Sequence, residues 1–163
     1  MWSPTRIRRQ QEVEGKEGRP RLRSRCVQSI SSNTYNQHIT NSTVCAGAFT
    51  PGCQAYHLPP YISKISELKS KGVDQVAVIA SNDAWVMCAW GKVNKVPSND
   101  DIVMLSDTKT FFSKEHGWAA GMGDRNGRWA MIIEKDGTIS YAENEKSPAQ
   151  VDVSGAETVL SKL

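Results

Sequence analysis

A cysteine delivered by a Pro- and Gly-rich turn to the start of a helix is set up for chemistry in a way that a core cysteine is not. Gly47-Ala48-Phe49-Thr50-Pro51-Gly52-Cys53 has that form. The stretch 53–70 then carries Tyr61, Ile62, Ile65 and Leu68 at helical spacing and ends at Lys71-Gly72. The first N–H groups of a helix lack intrahelical acceptors and carry about half a positive charge. Both properties favour thiolate over thiol, and the thiolate is the nucleophile. Thr50, three residues upstream, can bring a hydroxyl near the sulfur, to hold a peroxide oxygen or to donate to the thiolate. His57 lies four residues on, on the same helix face, and reads as a structural partner rather than a base. On these residues alone two readings stay open, a reactive thiolate and an inert buried cysteine. A metal site from Cys45, Cys53, His57 and Cys88 does not follow a zinc-ligand spacing, so no metal or other cofactor is expected. The missing CxxC disfavours a disulfide oxidoreductase.

The elements that must position Cys53 follow from periodicity. Residues 75–80 (QVAVIA) form a short apolar run, as in a buried strand. The spacing predicts a helix over 83–96, with Trp85, Val86, Ala89, Trp90 and Val93 as its apolar stripe and Asp83 at its start. A strand is expected over 102–105 and a short helix over 108–116. Strands over 128–133 and 138–142 are joined at Lys135-Asp136-Gly137. The last helix, 154–160, opens on Ser154 and Glu157, the pattern of a capping box. Pro59-Pro60 is expected to kink the helix after Cys53. The order of elements is that of an α/β layered domain.

Charge divides the chain differently. Residues 1–25 hold eight basic and three acidic residues, and the remainder carries a net −2. A basic head can bind nucleic acid, anionic lipid or an import receptor, but a solvated, disordered tail is the preferred reading, with no nucleic-acid partner. Residues 1–45 are therefore set apart from a domain over 46–163. No apolar run reaches the roughly 18–20 residues of a membrane span. Without an apolar leader, the four cysteines (Cys26, Cys45, Cys53, Cys88) point to a reduced, intracellular setting, and Asn41-Ser42-Thr43 reads as a chance glycosylation sequon.

GAFTPGCQAYHLPPYI and KSKGVDQVAVIASNDAWVMCAWGK, followed by DIVMLSD, GDRNGRWAMII, DGTISYAE and SGAETVL, closely resemble the peroxiredoxins. The resemblance is to the atypical type II, peroxiredoxin-5-like group and its fungal peroxisomal branch, and it covers 46–163. It implies a thioredoxin-like fold and a thiol-dependent peroxidase of antioxidant defence that reduces hydrogen peroxide and organic hydroperoxides. It assigns Cys53 as the peroxidatic cysteine, Thr50 as the motif threonine and Arg128 as the distant arginine. The runner-up is an impaired, peroxiredoxin-like redox sensor or holdase chaperone.

The chain departs from the family pattern in two places. Ala46 stands where the motif has proline, and residues 28–43 offer no apolar run for the strand that leads into the motif. The fold is therefore expected to lack its normal N-terminal strands. No cysteine occupies the resolving positions near Val78 or Ser154, and Cys88 reads as a core thiol. A one-cysteine mechanism with glutathione or a thioredoxin-type protein is expected, operating from an exposed Cys53. The final Ser161-Lys162-Leu163 reads as the address recognised by the peroxisomal import receptor, with the cytoplasm as the alternative compartment. A homodimer is the weaker expectation that the resemblance carries.

Overall fold

The computed structural model describes residues 41–44, 47–115, 118–121 and 123–163. Cys26, Cys45, Ala46 and the basic head lie outside the described residues. A five-stranded sheet with order β3-β2-β1-β4-β5 forms the centre. Its strands are β1 (Asn41–Val44), β2 (Val76–Ala80), β3 (Ile102–Ser106), β4 (Trp129–Ile133) and β5 (Ile139–Asn144). The first three run parallel, and β4 lies antiparallel to both β1 and β5.

The expectation of a missing core strand is corrected here. β1, four polar-rich residues, occupies the middle of the sheet, with Ser42 opposite both Ala77 and Met131. Backbone pairing on both sides makes it a strand, and that pairing leaves no trace in a hydropathy pattern.

β2 is buried along its whole length because both sheet faces are covered. Alternation then sorts its residues. Val76, Val78 and Ala80 join Ala130 and Ile132 in the larger core with Leu58, Tyr61 and Leu68. Ala77 and Ile79 join Leu105, Trp129 and Met131 on the opposite face, under Phe112 and Trp118. The larger core is covered by α1 (Leu58–Ser63), α2 (Ile65–Ser70), α3 (Ala84–Val93) and α5 (Ala156–Lys162). The short α4 (Phe111–Glu115) lies on the smaller.

Three local expectations change. The buried face of α3 is Met87, Trp90 and Gly91, while Trp85 and Val93 of the expected stripe are exposed. Gly91 explains the rotation: a Cβ there would lie 2.9 Å from Met104 Cγ, so the helix sits close on β3 through a residue with no apolar side chain to reveal it. No capping box forms at α5. Ser154 Oγ donates to Glu145 Oε1 at 2.7 Å, and Glu157 pairs with Lys64 at 2.8 Å. Pro59 and Pro60 do not interrupt the helix; they sit in the first turn of α1, where a missing N–H costs least, and the break comes at Lys64.

Candidate active site

Cys53 opens a π-helical turn, Cys53–His57, that runs directly into α1. Its wide pitch fits the sequence, because Pro59 and Pro60 supply no N–H for a regular ladder back into the turn. Gln54 clamps the turn to α3: its Oε1 accepts from Trp90 Nε1 at 2.6 Å, and its Nε2 donates to Asn94 Oδ1 at 2.6 Å. Upstream, Phe49 takes a left-handed conformation (φ 60°) and Ala48 N donates to Asn82 Oδ1 at 2.7 Å, which fixes the loop that carries Thr50. Cys53 is fully buried, contrary to the exposure expected of it.

Thr50 Oγ1 donates to the Gly47 carbonyl at 2.8 Å. Its single hydrogen is committed there, so the oxygen faces a reactant as an acceptor.

Arg128 immediately precedes β4 and is only 2% exposed. Its Nε donates to the Pro148 carbonyl at 2.9 Å and its Nη1 to His57 Nδ1 at 2.8 Å. Because a guanidinium only donates, His57 Nδ1 must accept, and Nε2 carries the hydrogen that the Ser154 carbonyl accepts at 3.0 Å. His57 is thus a positioning residue, in keeping with its reading as a partner rather than a base. Tyr61 adds a second bond to the same Ser154 carbonyl at 2.8 Å. These ties aim the guanidinium at the π-helical turn. A Cβ on Gly52 would lie 2.9 Å from Arg128 Nη2, so any side chain at the residue before Cys53 would require the guanidinium to shift.

Gly52 is the residue of this cavity that the sequence did not single out. The Pro-Gly turn was legible, but not the arginine pressed against it. Thr50, Gly52 and Arg128 line one cavity of about 430 Å³, together with Tyr56, Arg125 and Asn126.

Of the alternative metal constellation, Cys45 lies outside the described residues. Both ring nitrogens of His57 are hydrogen-bonded to protein. Cys88 is disulfide-bonded, which corrects its reading as a core thiol.

The redoxin family profile matches residues 28–160, reaching upstream of the expected start at 46. The chain belongs to the redoxin family. Within it the chain is a peroxiredoxin, a thiol-dependent peroxidase, of the peroxiredoxin-5-like group. It is 51% identical over 117 residues to peroxiredoxin Pen c 3 of Penicillium citrinum, covering 72% of this chain and 68% of that one. A peroxiredoxin of Lipomyces kononenkoae described as peroxisomal is 39% identical, covering 72% and 70%. Among solved structures, reduced Prx3 of Vibrio vulnificus in complex with hydrogen peroxide superposes with a TM-score of 0.67 at 39% identity, over 76% of this chain and 80% of that one. Peroxiredoxin 5 of Alvinella pompejana gives 0.61 at 31% identity, over 75% and 76%. The thioredoxin-like α/β fold expected of the sequence is the fold of these peroxiredoxins.

Proposed function

We propose that Cys53 is the peroxidatic cysteine of this peroxiredoxin, with Thr50 and Arg128 as its catalytic partners. The observation that carries the assignment is the convergence of the Arg128 guanidinium on Gly52, one residue before Cys53 and two after Thr50. The Cys53 thiolate attacks the hydroxyl-bearing oxygen of a hydroperoxide. The S–O bond forms as the O–O bond breaks, the thiol becomes a sulfenic acid, and the departing alkoxide takes a proton from water. Thr50 accepts a hydrogen bond from the peroxide, and Arg128 stabilises both the thiolate and the negative charge growing on the leaving oxygen.

Reduction uses two equivalents of an external thiol, glutathione or a thioredoxin-type protein. The first condenses with the sulfenic acid, releasing water and leaving a mixed disulfide; the second displaces Cys53 and leaves the oxidised thiol pair. Because Cys53 is buried, the π-helical turn must open locally for this half of the cycle. The described residues include no helix long and apolar enough to cross a membrane.

Two further assignments complete the reading. Ser161 and Lys162 are exposed at the end of α5, Leu163 packs half-buried on the larger core and must lift for an import receptor to take up the Ser161-Lys162-Leu163 tail, and the relative described as peroxisomal supports that address. Phe49, Trp85 and Phe111 are exposed apolar side chains on segments that meet around Asn82 through the Ala48 and Ser106 hydrogen bonds. They supply the apolar centre of a homodimer interface.

Turnover of hydrogen peroxide with each thiol tests the proposal. The wild-type protein is expected to cycle and Cys53→Ser to be inert. A Cys53→Ser protein that still consumes peroxide would place the chemistry elsewhere, and a wild-type protein that oxidises once without cycling would favour the sensor or holdase alternative.

A further inference from the structure

We propose that Arg125 anchors a carboxylate at the mouth of the Cys53 pocket, so that this peroxidase prefers reactants bearing a carboxylate beyond the reacting atom. The inference rests on the assignment of Cys53 as the reacting centre.

Size is the first argument. A water molecule takes about 30 Å³ of liquid volume, so a cavity of about 430 Å³ far exceeds what hydrogen peroxide fills. The space beside Thr50 and Arg128 is large enough for the body of an organic reactant.

Charge is the second. The cavity is lined by two arginines and by no aspartate or glutamate. Arg128 is buried and tied to Pro148 and His57. Arg125 is exposed, and no described carboxylate pairs with it. The adjacent Asp124 is held by Lys114 at 2.7 Å, with its carboxyl pulled below the usual range by that hydrogen bond. The positive charge at the mouth therefore remains to recognise an anion. Ala120, Pro148 and the ring of Tyr56 add apolar surface between the charge and the reacting end.

Rigidity is the third. The segment carrying Arg125 is closed by Ala120 N to Arg125 O at 2.8 Å and Gly127 N to Trp118 O at 2.7 Å. A Cβ at Gly127 would lie 2.6 Å from the Trp118 carbonyl, so the crossing is tight. Asn126 is fully buried and its Nδ2 donates to Asp107, whose carboxylate also accepts from Phe112 N and from Ser113. Asn126 Oδ1 accepts from no described residue, leaving a buried acceptor on the cavity lining beside the arginine. The backbone that carries Arg125 is thus fixed at the mouth of the cavity, within reach of a carboxylate bound there.

The carboxylate can belong to the oxidant, as in a fatty-acid hydroperoxide, or to the reductant, as in glutathione. Single-turnover oxidation of the reduced full-length protein by a fatty-acid hydroperoxide and by its methyl ester isolates the first source. Recycling by glutathione and by its ester isolates the second. Hydrogen peroxide serves as a reference in both. The acid is expected to react about tenfold faster than the ester in one arm. That ratio should fall toward one at high salt and in Arg125→Gln, and be kept only in part in Arg125→Lys, which retains the charge without the fork. Whichever arm shows the preference names the source. An acid-to-ester ratio near one in both arms, with hydrogen peroxide still consumed, overturns the carboxylate subsite and leaves the peroxidase assignment standing. Failure to consume hydrogen peroxide overturns both.

Discussion

At the scale of single residues the site depends on a contact made by an absent side chain. Arg128 is pinned at Nε and Nη1, so its Nη2 has little room to retreat from a new Cβ on Gly52. Gly52→Ala is expected to push the guanidinium away from its seat and slow peroxide reduction by about 10- to 100-fold, the scale of a lost electrostatic stabiliser. Stopped-flow oxidation of the reduced protein, followed through tryptophan fluorescence, would report it. An unchanged rate would mean that Arg128 can act from elsewhere. Cys53 and Thr50 were legible as candidates because turn, helix start and hydroxyl lie within seven residues of sequence. Arg128 was legible only through resemblance. Its tie to His57 spans 71 positions, which no local pattern can announce.

At the scale of elements, legibility followed how each element earns its stability. β2, β3 and the hairpin at Lys135-Asp136-Gly137 bury apolar side chains or use a specific turn, and all were readable. Gly137 there takes φ 87°, and the Asp136 carboxylate accepts from Thr138 N at 2.9 Å. The strand β1 was not readable, because it is held by backbone hydrogen bonds to β2 and β4. α3 was readable as a helix but not in its facing, because Gly91 lies at its buried centre. The central position of β1 gives a direct expectation. Ser42→Pro removes a ladder N–H between two paired neighbours and should cost about 2–3 kcal/mol, read as a lower urea midpoint. A midpoint within error of the wild type would show that β1 contributes little to the sheet.

At the scale of the whole molecule, the proposed uses of the enzyme rest on the pocket mouth and on the exposed side chains of Phe49, Trp85 and Phe111. Trp85 is 73% exposed although it sits at the start of a helix that buries Met87 and Trp90. A specific dimer needs about 800 Å² from each partner, and one charged substitution at the centre of such a patch disrupts it. Trp85→Glu is expected to shift the protein from dimer to monomer in sedimentation velocity, while a wild type that sediments as a monomer would remove the dimer from the account. The whole account rests on the sulfur that meets peroxide first. The most direct measurement is site-resolved mass spectrometry after one equivalent of hydrogen peroxide, with a sulfenic-acid trap present. Rapid trapping at Cys53 ahead of every other cysteine is expected, and trapping that is absent or centred on another cysteine would contradict the assignment of Cys53.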